Sequence, residues 1–225
     1  MNFLQLCQRL RQEAAVSGTG PVTVVSQVGE YKKLVDWISS AYEDIQNLHT
    51  EWDFLRTDLT FQTIAGTNNY TKDAISAGEY GEWVDESFRS YLTSGGEVGE
   101  QFMAFLDWGD FRDSYGFGAN RAQLGIPRYI TRKPDTSLLV FPGPDAEYTI
   151  NGEYFKRAQT MTANSDEPLI PSKYHMIIVW RALMYYAGQS NAPELYAVGL
   201  NEYKRLLNKL ESSQMQPIRL AGPLA

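Results

Sequence analysis

Residues 171–211 decide the fold, and they read PSKYHMIIVWRALMYYAGQSNAPELYAVGLNEYKRLLNKLE. The pattern predicts two helices joined by a short break. Ser172 suits the N-cap of the first helix, and Gly188 suits its C-terminal cap because glycine readily adopts the left-handed conformation. Pro193 suits the first turn of the second helix, where a missing N–H costs nothing. Apolar residues then recur at helical spacing, so the second helix is predicted to be amphipathic.

The first of these helices is apolar nearly all round. Between Tyr174 and Ala187, only His175 and Arg181 are strongly polar. Such a helix must be covered on every side, yet it is shorter than the ~20 apolar residues that a membrane span needs. We therefore expect it to pack into its own subunit on one face and against something else on another.

Two more helices are predicted near the N terminus. Residues 3–14 place apolar side chains on one helical face, and residues 26–53 carry apolar side chains in a seven-residue repeat. A repeat of this kind is typical of a helix that packs along another long helix, for which the C-terminal pair of the same subunit is the simpler candidate. An interface between subunits is the other candidate. The residues predicted to form it are Leu34, Ile38, Trp180, Arg181 and Tyr185.

Between the helical ends of the chain, apolar and polar residues alternate, which is the pattern of β-strands. Strands are predicted at residues 59–64, 82–92, 128–132, 138–141 and 147–157, with a helix at 101–115. Turns are predicted at residues 66–69 and 142–145. The fold class is therefore α+β, with a helical bundle formed by the N- and C-terminal helices, an antiparallel β-rich middle segment and an extended C-terminal tail. The predicted domains are 1–57 with 165–212, then 58–164, and an arm at 213–225.

Composition and charge exclude several classes of function. A net charge of -7 argues against a protein that binds DNA through its phosphates, because such a protein needs a cationic surface. The N-terminal segment is amphipathic and resembles neither a signal peptide nor a membrane anchor. The chain has 14 tyrosines and 5 tryptophans, residues that are enriched at protein interfaces, and this favours assembly over catalysis.

Residue combinations that carry chemistry are scarce. The sequence contains no phosphate-binding loop and no dinucleotide fingerprint, and its two histidines and one cysteine are too few for a His/Cys zinc site. Cys7 could pair with His49 or His175 as nucleophile and base, but it lies on the apolar face of a predicted helix, whereas reactive thiols favour polar surroundings. We expect neither a metal nor another cofactor.

Two groups of acidic residues were considered as catalytic pairs. They are Asp107, Asp110 and Asp113 around Trp108, and Glu82, Asp85 and Glu86 beside Trp83. Two carboxylates beside aromatic side chains are the minimum for glycoside cleavage, but acids at three-residue spacing more often form a solvated helix face. The EF-hand spacing for calcium is missing as well. The prediction is therefore that the protein is not an enzyme.

Six stretches, in this order, resemble the head–tail adaptor (connector) proteins of tailed bacteriophages, especially those of short-tailed phages. The stretches are FLQLCQRLRQEAAVSGTGP (3–21), VDWISSAYEDIQNLHTEWDFLR (35–56), EWVDESFRSYLT (82–93), FLDWGDFRDSYGFG (105–118), TINGEYFKRAQTM (149–161) and IPSKYHMIIVWRALMYYA (170–187). The similarity lies in composition and order, and it extends over nearly the whole chain.

The resemblance implies a structural role in the virion, with synthesis in the cytoplasm of the bacterial host. Members of this family form a ring, usually of twelve copies, beneath the portal protein. The ring joins the DNA-filled head to tail nozzle or tail tube proteins. DNA passes through its axial channel during genome ejection without specific binding. The net negative charge suits such a channel, because acidic walls repel phosphate.

The resemblance also suggests a partner for the C-terminal arm, a groove between portal subunits. Residues 214–225 contain two prolines and several apolar side chains, a composition that suits binding in extended form. A frayed terminus without a role is the alternative. The residues predicted to bind the portal are Ile218, Arg219, Leu220 and Leu224.

Two other functions remain open from the sequence. One is a different head- or tail-completion protein of the virion, which would share this composition but differ in its position and symmetry. The other is a cell-wall-degrading enzyme that would use one of the acidic groups.

Overall fold

The computed structural model describes residues 1–215, and the fold is α+β, as the sequence predicts. The chain divides into a helical unit, made of Met1–Leu55 and the chain from Ala158 onward, and a β unit, Arg56–Arg157. The α-helices in the described residues are α1 (Phe3–Glu13), α2 (Gly29–Gln46), α3 (Trp108–Tyr115), α4 (Met176–Gln189) and α5 (Pro193–Gln214). Across residues 1–215, no helix combines the length and apolar character required to cross a membrane.

The strands in the described residues all belong to the β unit. They are β1 (Arg56–Gln62), β2 (Asn69–Tyr70), β3 (Tyr80–Trp83), β4 (Arg89–Leu92), β5 (Gln101–Phe102), β6 (Ala104–Phe105), β7 (Leu124–Gly125), β8 (Tyr129–Arg132), β9 (Leu138–Phe141), β10 (Gly143–Pro144) and β11 (Tyr148–Lys156).

Helix α4 is the centre of the helical unit, where it packs against α1, α2 and α5. Seven of its side chains are buried, which are Ile177, Ile178, Val179, Ala182, Leu183, Met184 and Ala187. Three helices of the same unit therefore supply most of the cover that its apolar sequence requires. The expectation that another face of α4 packs against something else stays a prediction, since Trp180 and Tyr185 on this helix are only half-buried.

Helix α2 is shorter than its apolar repeat predicts. It begins at Gly29, after Ser26 has adopted a left-handed conformation (φ 57°), and it ends at Gln46 instead of near residue 53. Trp52 continues the apolar pattern from outside the helix, since its indole N–H donates to the carbonyl oxygen of Ile45 at 3.1 Å. The chain thus turns back on α2 and buries Trp52 beside it.

The helix pair α4 and α5 follows the predicted pattern with two differences. Ser172, predicted as the N-cap of α4, lies inside a 3-10 turn, and the N-cap is His175. Pro193 is the first residue of α5, as predicted. The left-handed residue at the end of α4 is Asn191 (φ 51°) instead of Gly188. Asparagine tolerates this conformation better than most residues, so α4 continues past the glycine.

The β unit contains two sheets and one small strand pair. The first sheet has the order β1-β11-β4-β5, with β3 also paired to β11, and the second has the order β2-β9-β8-β6. Most pairs are antiparallel, whereas β6–β8 and β10–β7 are parallel. The buried side chains between the strands form a core that includes Trp83, Phe88, Ile130, Ile150 and Tyr154.

Two predicted elements of the β unit are confirmed only in part. Residues 82–92 form two strands, β3 and β4, separated by a 3-10 turn at Asp85–Ser87. Residues 101–105, expected to begin a helix, instead form β5 and β6, because they pair with β4 and β8. Only Trp108–Tyr115 is helical there.

Gly152 allows a close contact between β11 and a neighbouring segment of the β unit. A Cβ atom at this position would lie 2.6 Å from the ring of Phe88, so the glycine makes room for a fully buried aromatic side chain. The register of β11 shifts further along the strand, between Phe155 and Lys156, where it pairs with β3.

Candidate interaction surfaces

The predicted interface residue Arg181 is part of a hydrogen-bonded network that joins α2 to α4. Its Nε and Nη2 atoms donate to Asp44 Oδ2 at 3.2 and 2.8 Å, and the hydroxyl of Tyr185 donates to the same oxygen. The guanidinium also lies over the ring of Tyr203 on α5, 5.7 Å from its centroid. Burial raises the pKa of Tyr185, and the Asp44 carboxylate raises it further. The contacts of Arg181 in the structure are therefore with residues of its own subunit.

The other predicted interface residues lie in two different environments. Trp180 and Tyr185 are half-buried on α4, so part of each side chain reaches the surface of the helical unit. Leu34 and Ile38 are fully buried in the core of that unit, because the apolar repeat of α2 faces α1 and α4. Those two side chains have no surface to offer a neighbouring copy.

The outer faces of α2 and α5 are exposed and remain uncovered within the described part of the helical unit. On α2 the exposed side chains run along the side opposite its buried repeat, and Trp37 at their margin makes an edge-to-face contact with Tyr186 of α4, with ring centroids 5.8 Å apart. On α5 the exposed face begins with Glu194 and Val198 and continues with polar and basic side chains. These faces are available to other molecules.

The loop between α1 and α2 is a third exposed feature, and the sequence patterns did not predict it. Val22 and Val28 are each 81% exposed, and Val25 is also exposed. The loop is nevertheless anchored, since Asn164 Oδ1 accepts hydrogen bonds from Val24 N at 2.7 Å and from Thr23 at 3.1 Å. One feature of the sequence could have indicated this apolar loop, since residues 14–29 contain no charged side chain.

The two turns predicted in the β unit come together in one surface. The backbone N–H of Gly66 donates to the carbonyl oxygen of Pro144 at 2.8 Å, and Gly143 N donates to Gln123 O at 3.0 Å. We call residues 64–69, 123–126 and 142–145 the turn surface. Its exposed apolar side chains are Ile64, Leu124 and Ile126.

The acidic groups considered for catalysis are mainly solvated. Asp107, Asp110 and Asp113 are exposed, and Asp113 pairs with the neighbouring Arg112 at 3.0 Å. Partial burial raises the pKa of Asp85, an effect that Arg132 opposes and that Glu82 and Asp107 reinforce. Residues 1–215 contain no group of three or more His, Cys, Asp or Glu side chains that could hold a metal ion.

The environment of the single cysteine, Cys7, does not suit a catalytic nucleophile. Burial raises the pKa of the Cys7 thiol to about 12, so the thiolate is strongly disfavoured. His49 Nε2 lies 3.0 Å from a carboxylate oxygen of Glu211, and His175 Nε2 lies 2.9 Å from the carbonyl oxygen of Ile170. Within the described residues, neither histidine makes a hydrogen bond to Cys7.

The predicted portal-binding residues Ile218, Arg219, Leu220 and Leu224 lie outside the described residues.

Exposed helix faces, an anchored apolar loop and a surface of converging turns are features that suit a protein of virion assembly better than an enzyme. The family model described as the SU10 adaptor protein matches residues 1–224, and the chain belongs to this family of tailed-phage head–tail adaptors. The resemblance to tailed-phage adaptors is thereby confirmed, whereas the short-tailed type stays a prediction. No curated protein matches the chain.

Proposed function

We propose that this adaptor forms a ring of twelve copies beneath the portal protein, where it joins the DNA-filled head to the tail and surrounds a channel for DNA. The observation that carries the proposal is the match of the adaptor family to residues 1–224, since it spans both units of the chain. Membership of an adaptor family implies contacts with other head and tail components of the virion. The proposal adds to this the formation of a ring, its copy number and its position beneath the portal.

The proposal divides the work between the two units. The helical unit forms the ring, because it has exposed helix faces on two helices, α2 and α5, that flank a largely buried central helix. The β unit faces the tail, because the turn surface combines exposed apolar side chains with a hydrogen-bonded scaffold. Loops held on a rigid scaffold are well suited to recognition.

The interface prediction changes in one respect. Trp180 and Tyr185 retain surface for a neighbouring copy, and Arg181 contributes through the Asp44 network that orients Tyr185. Leu34 and Ile38 support the interface only indirectly, by holding α2 in the bundle. The contacts themselves are assigned to exposed side chains.

Charge supports a channel through which DNA slides without specific binding. The net charge of -7 gives an acidic protein, and acidic walls repel phosphate groups instead of retaining them. The C-terminal arm was predicted at residues 213–225, but α5 continues to Gln214, so the arm proposed to bind the portal through Ile218, Arg219, Leu220 and Leu224 follows that residue. Its apolar and proline-rich sequence suits a groove that accepts an extended segment.

The proposal is tested by imaging purified full-length protein, alone and mixed with the portal protein of its own phage. We expect rings whose rotational symmetry is counted directly, docked coaxially on the portal. A variant that lacks residues 213–225 is expected to lose portal binding while its melting temperature stays nearly unchanged. Wild-type protein that neither forms rings nor binds the portal under any condition would contradict the proposal.

A further inference from the structure

The exposed faces of α2 and α5 carry charges that have no ion-pair partner in their own subunit. They include Lys33 and the half-buried Glu43 on α2, and Glu194 and Lys204 on α5. The salt bridges of the described residues involve none of the four. The two charges on each helix are ten residues apart, so both pairs have the same separation along their helix axes.

When α2 and α5 are placed side by side in the same direction, charges at the same height on the two helices have opposite signs. Lys33 then lies opposite Glu194, and Glu43 lies opposite Lys204. Between them, Trp37 falls at the height of Val198, which is 50% exposed, and Ser40 falls at the height of Asn201. A shift of one helical turn in either direction removes both opposite-charge pairs.

The helices of one subunit already have the directions that this match requires. Trp37 contacts Tyr186 while Asp44 contacts Arg181, so α2 and α4 are antiparallel.

Helix α5 is antiparallel to α4 as well, since Gly199 lies against Met184 and the hydroxyl of Tyr174 donates to the carbonyl oxygen of Lys209 at 3.2 Å. Helices α2 and α5 are therefore parallel within a copy. In the proposed ring the rotation axis is taken to run along these helices, and such a rotation keeps their direction, so α2 of one copy and α5 of the next are parallel.

From this match we propose that the outer face of α2 in one copy packs against the outer face of α5 in the next copy, in parallel. The contact joins two different surfaces, which is the kind of interface that closes into a ring. Its partner is a second copy of this chain, and the choice rests on charge complementarity along two exposed helix faces. The inference depends on the proposed ring and assigns the residues that hold it together.

A disulfide tests the register directly. The double variant Ser40→Cys/Asn201→Cys places one thiol on each face at the same height, and the native Cys7 is buried and does not compete. The matched control is Ser40→Cys/Asn208→Cys, in which the second thiol moves ~10 Å along α5. Because a disulfide requires Cα atoms within ~7 Å, only the first variant is expected to give a ladder of cross-linked oligomers after oxidation.

Charge reversal tests the pairing. Full-length Glu43→Lys and Lys204→Glu are each expected to raise the protein concentration needed for half-assembly roughly tenfold, because an attraction becomes a repulsion at every interface. The combined variant is expected to return it to within about threefold of wild type. Assembly is measured by analytical ultracentrifugation, alone and with the portal protein of the same phage, and melting temperatures confirm that each variant is folded.

The possible results separate this contact from the ring itself. Wild-type protein that assembles while both single variants assemble equally well, without a disulfide ladder, overturns the α2–α5 contact and leaves the proposed function standing. Portal or tail protein that cross-links to residue 40 or 201 in place of a second copy overturns it as well. Wild-type protein that never assembles overturns both the ring and this inference.

Discussion

Gly66 and Pro144 join two turns that are far apart in the chain, because the backbone N–H of Gly66 donates to the carbonyl oxygen of Pro144 at 2.8 Å. The hydrogen bond lies at the centre of the turn surface. The exposed apolar side chains of this surface are Ile64, Leu124 and Ile126. A partner that covers the hydrogen bond therefore contacts both turns.

The first prediction concerns the exposed apolar side chains of the turn surface. Ile64→Asp is expected to block attachment of tail proteins while the melting temperature changes by less than about 2 °C, because Ile64 is 67% exposed and its removal costs little packing. Val98→Asp, at a fully exposed position elsewhere in the β unit, is the matched control. Tail attachment is measured by co-sedimentation with the purified tail proteins. Equal attachment of both variants would exclude the turn surface as the tail contact.

The second prediction concerns the Arg181–Asp44 pair. Arg181→Met is expected to lower the free energy of unfolding by about 1 kcal/mol, since the pair is half-exposed and such pairs are weak. Arg181→Glu is expected to cost more, because it places a second carboxylate beside Asp44. A double-mutant cycle with Asp44→Asn, followed by urea unfolding, isolates the interaction. Additive effects of the two changes would show that the pair contributes nothing to stability.

The third prediction concerns the close approach of Gly152 to Phe88. Gly152→Ala is expected to destabilise the protein by about 1–3 kcal/mol, because the new methyl group would lie 2.6 Å from the Phe88 ring. Phe88→Leu alone is also expected to destabilise it, through lost packing. In the double variant the smaller side chain leaves room for the methyl group, so the two costs are expected to be less than additive. Strict additivity in urea unfolding would contradict this steric explanation.

The fourth prediction concerns the pH dependence of stability. Burial lowers the pKa of His175, and the positive charge of the Met1 amine, 2.6 Å from Nδ1, lowers it further, while Glu167 and the carbonyl oxygen of Ile170 oppose the shift. Below the ordinary histidine pKa of about 6.5, the unfolded chain takes up a proton that the folded chain resists. The free energy of unfolding is therefore expected to fall as the pH falls from about 7.

A variant separates this effect from the titration of carboxylates. His175→Gln keeps a donor for the carbonyl oxygen of Ile170 but does not titrate. Wild type and variant are compared by urea unfolding between pH 7.5 and 5, and the wild type is expected to lose stability more steeply, by at most about 1.4 kcal/mol per pH unit. Identical slopes for the two proteins would contradict the prediction.

Local sequence patterns determined the elements whose signals lie within a few residues. Pro193 begins α5 because proline fits a first helical turn, and the continuous apolar run of β9 gives the predicted bounds Leu138–Phe141. The α+β class followed from the change in hydrophobic period between the ends and the middle of the chain. The order and composition of six stretches also sufficed to indicate the adaptor family.

Tertiary structure decided the features that depend on residues distant in the chain. Residues 101–105 form strands because β4 and β8 offer backbone partners, and Gly152 is required by a side chain from another strand. The apolar sequence of α4 implied that something must cover it, but only the packing of α1, α2 and α5 showed that the cover comes from its own unit. Which charges face outward, and at what height along each helix, likewise depends on how the bundle packs, because a single helix has no inside.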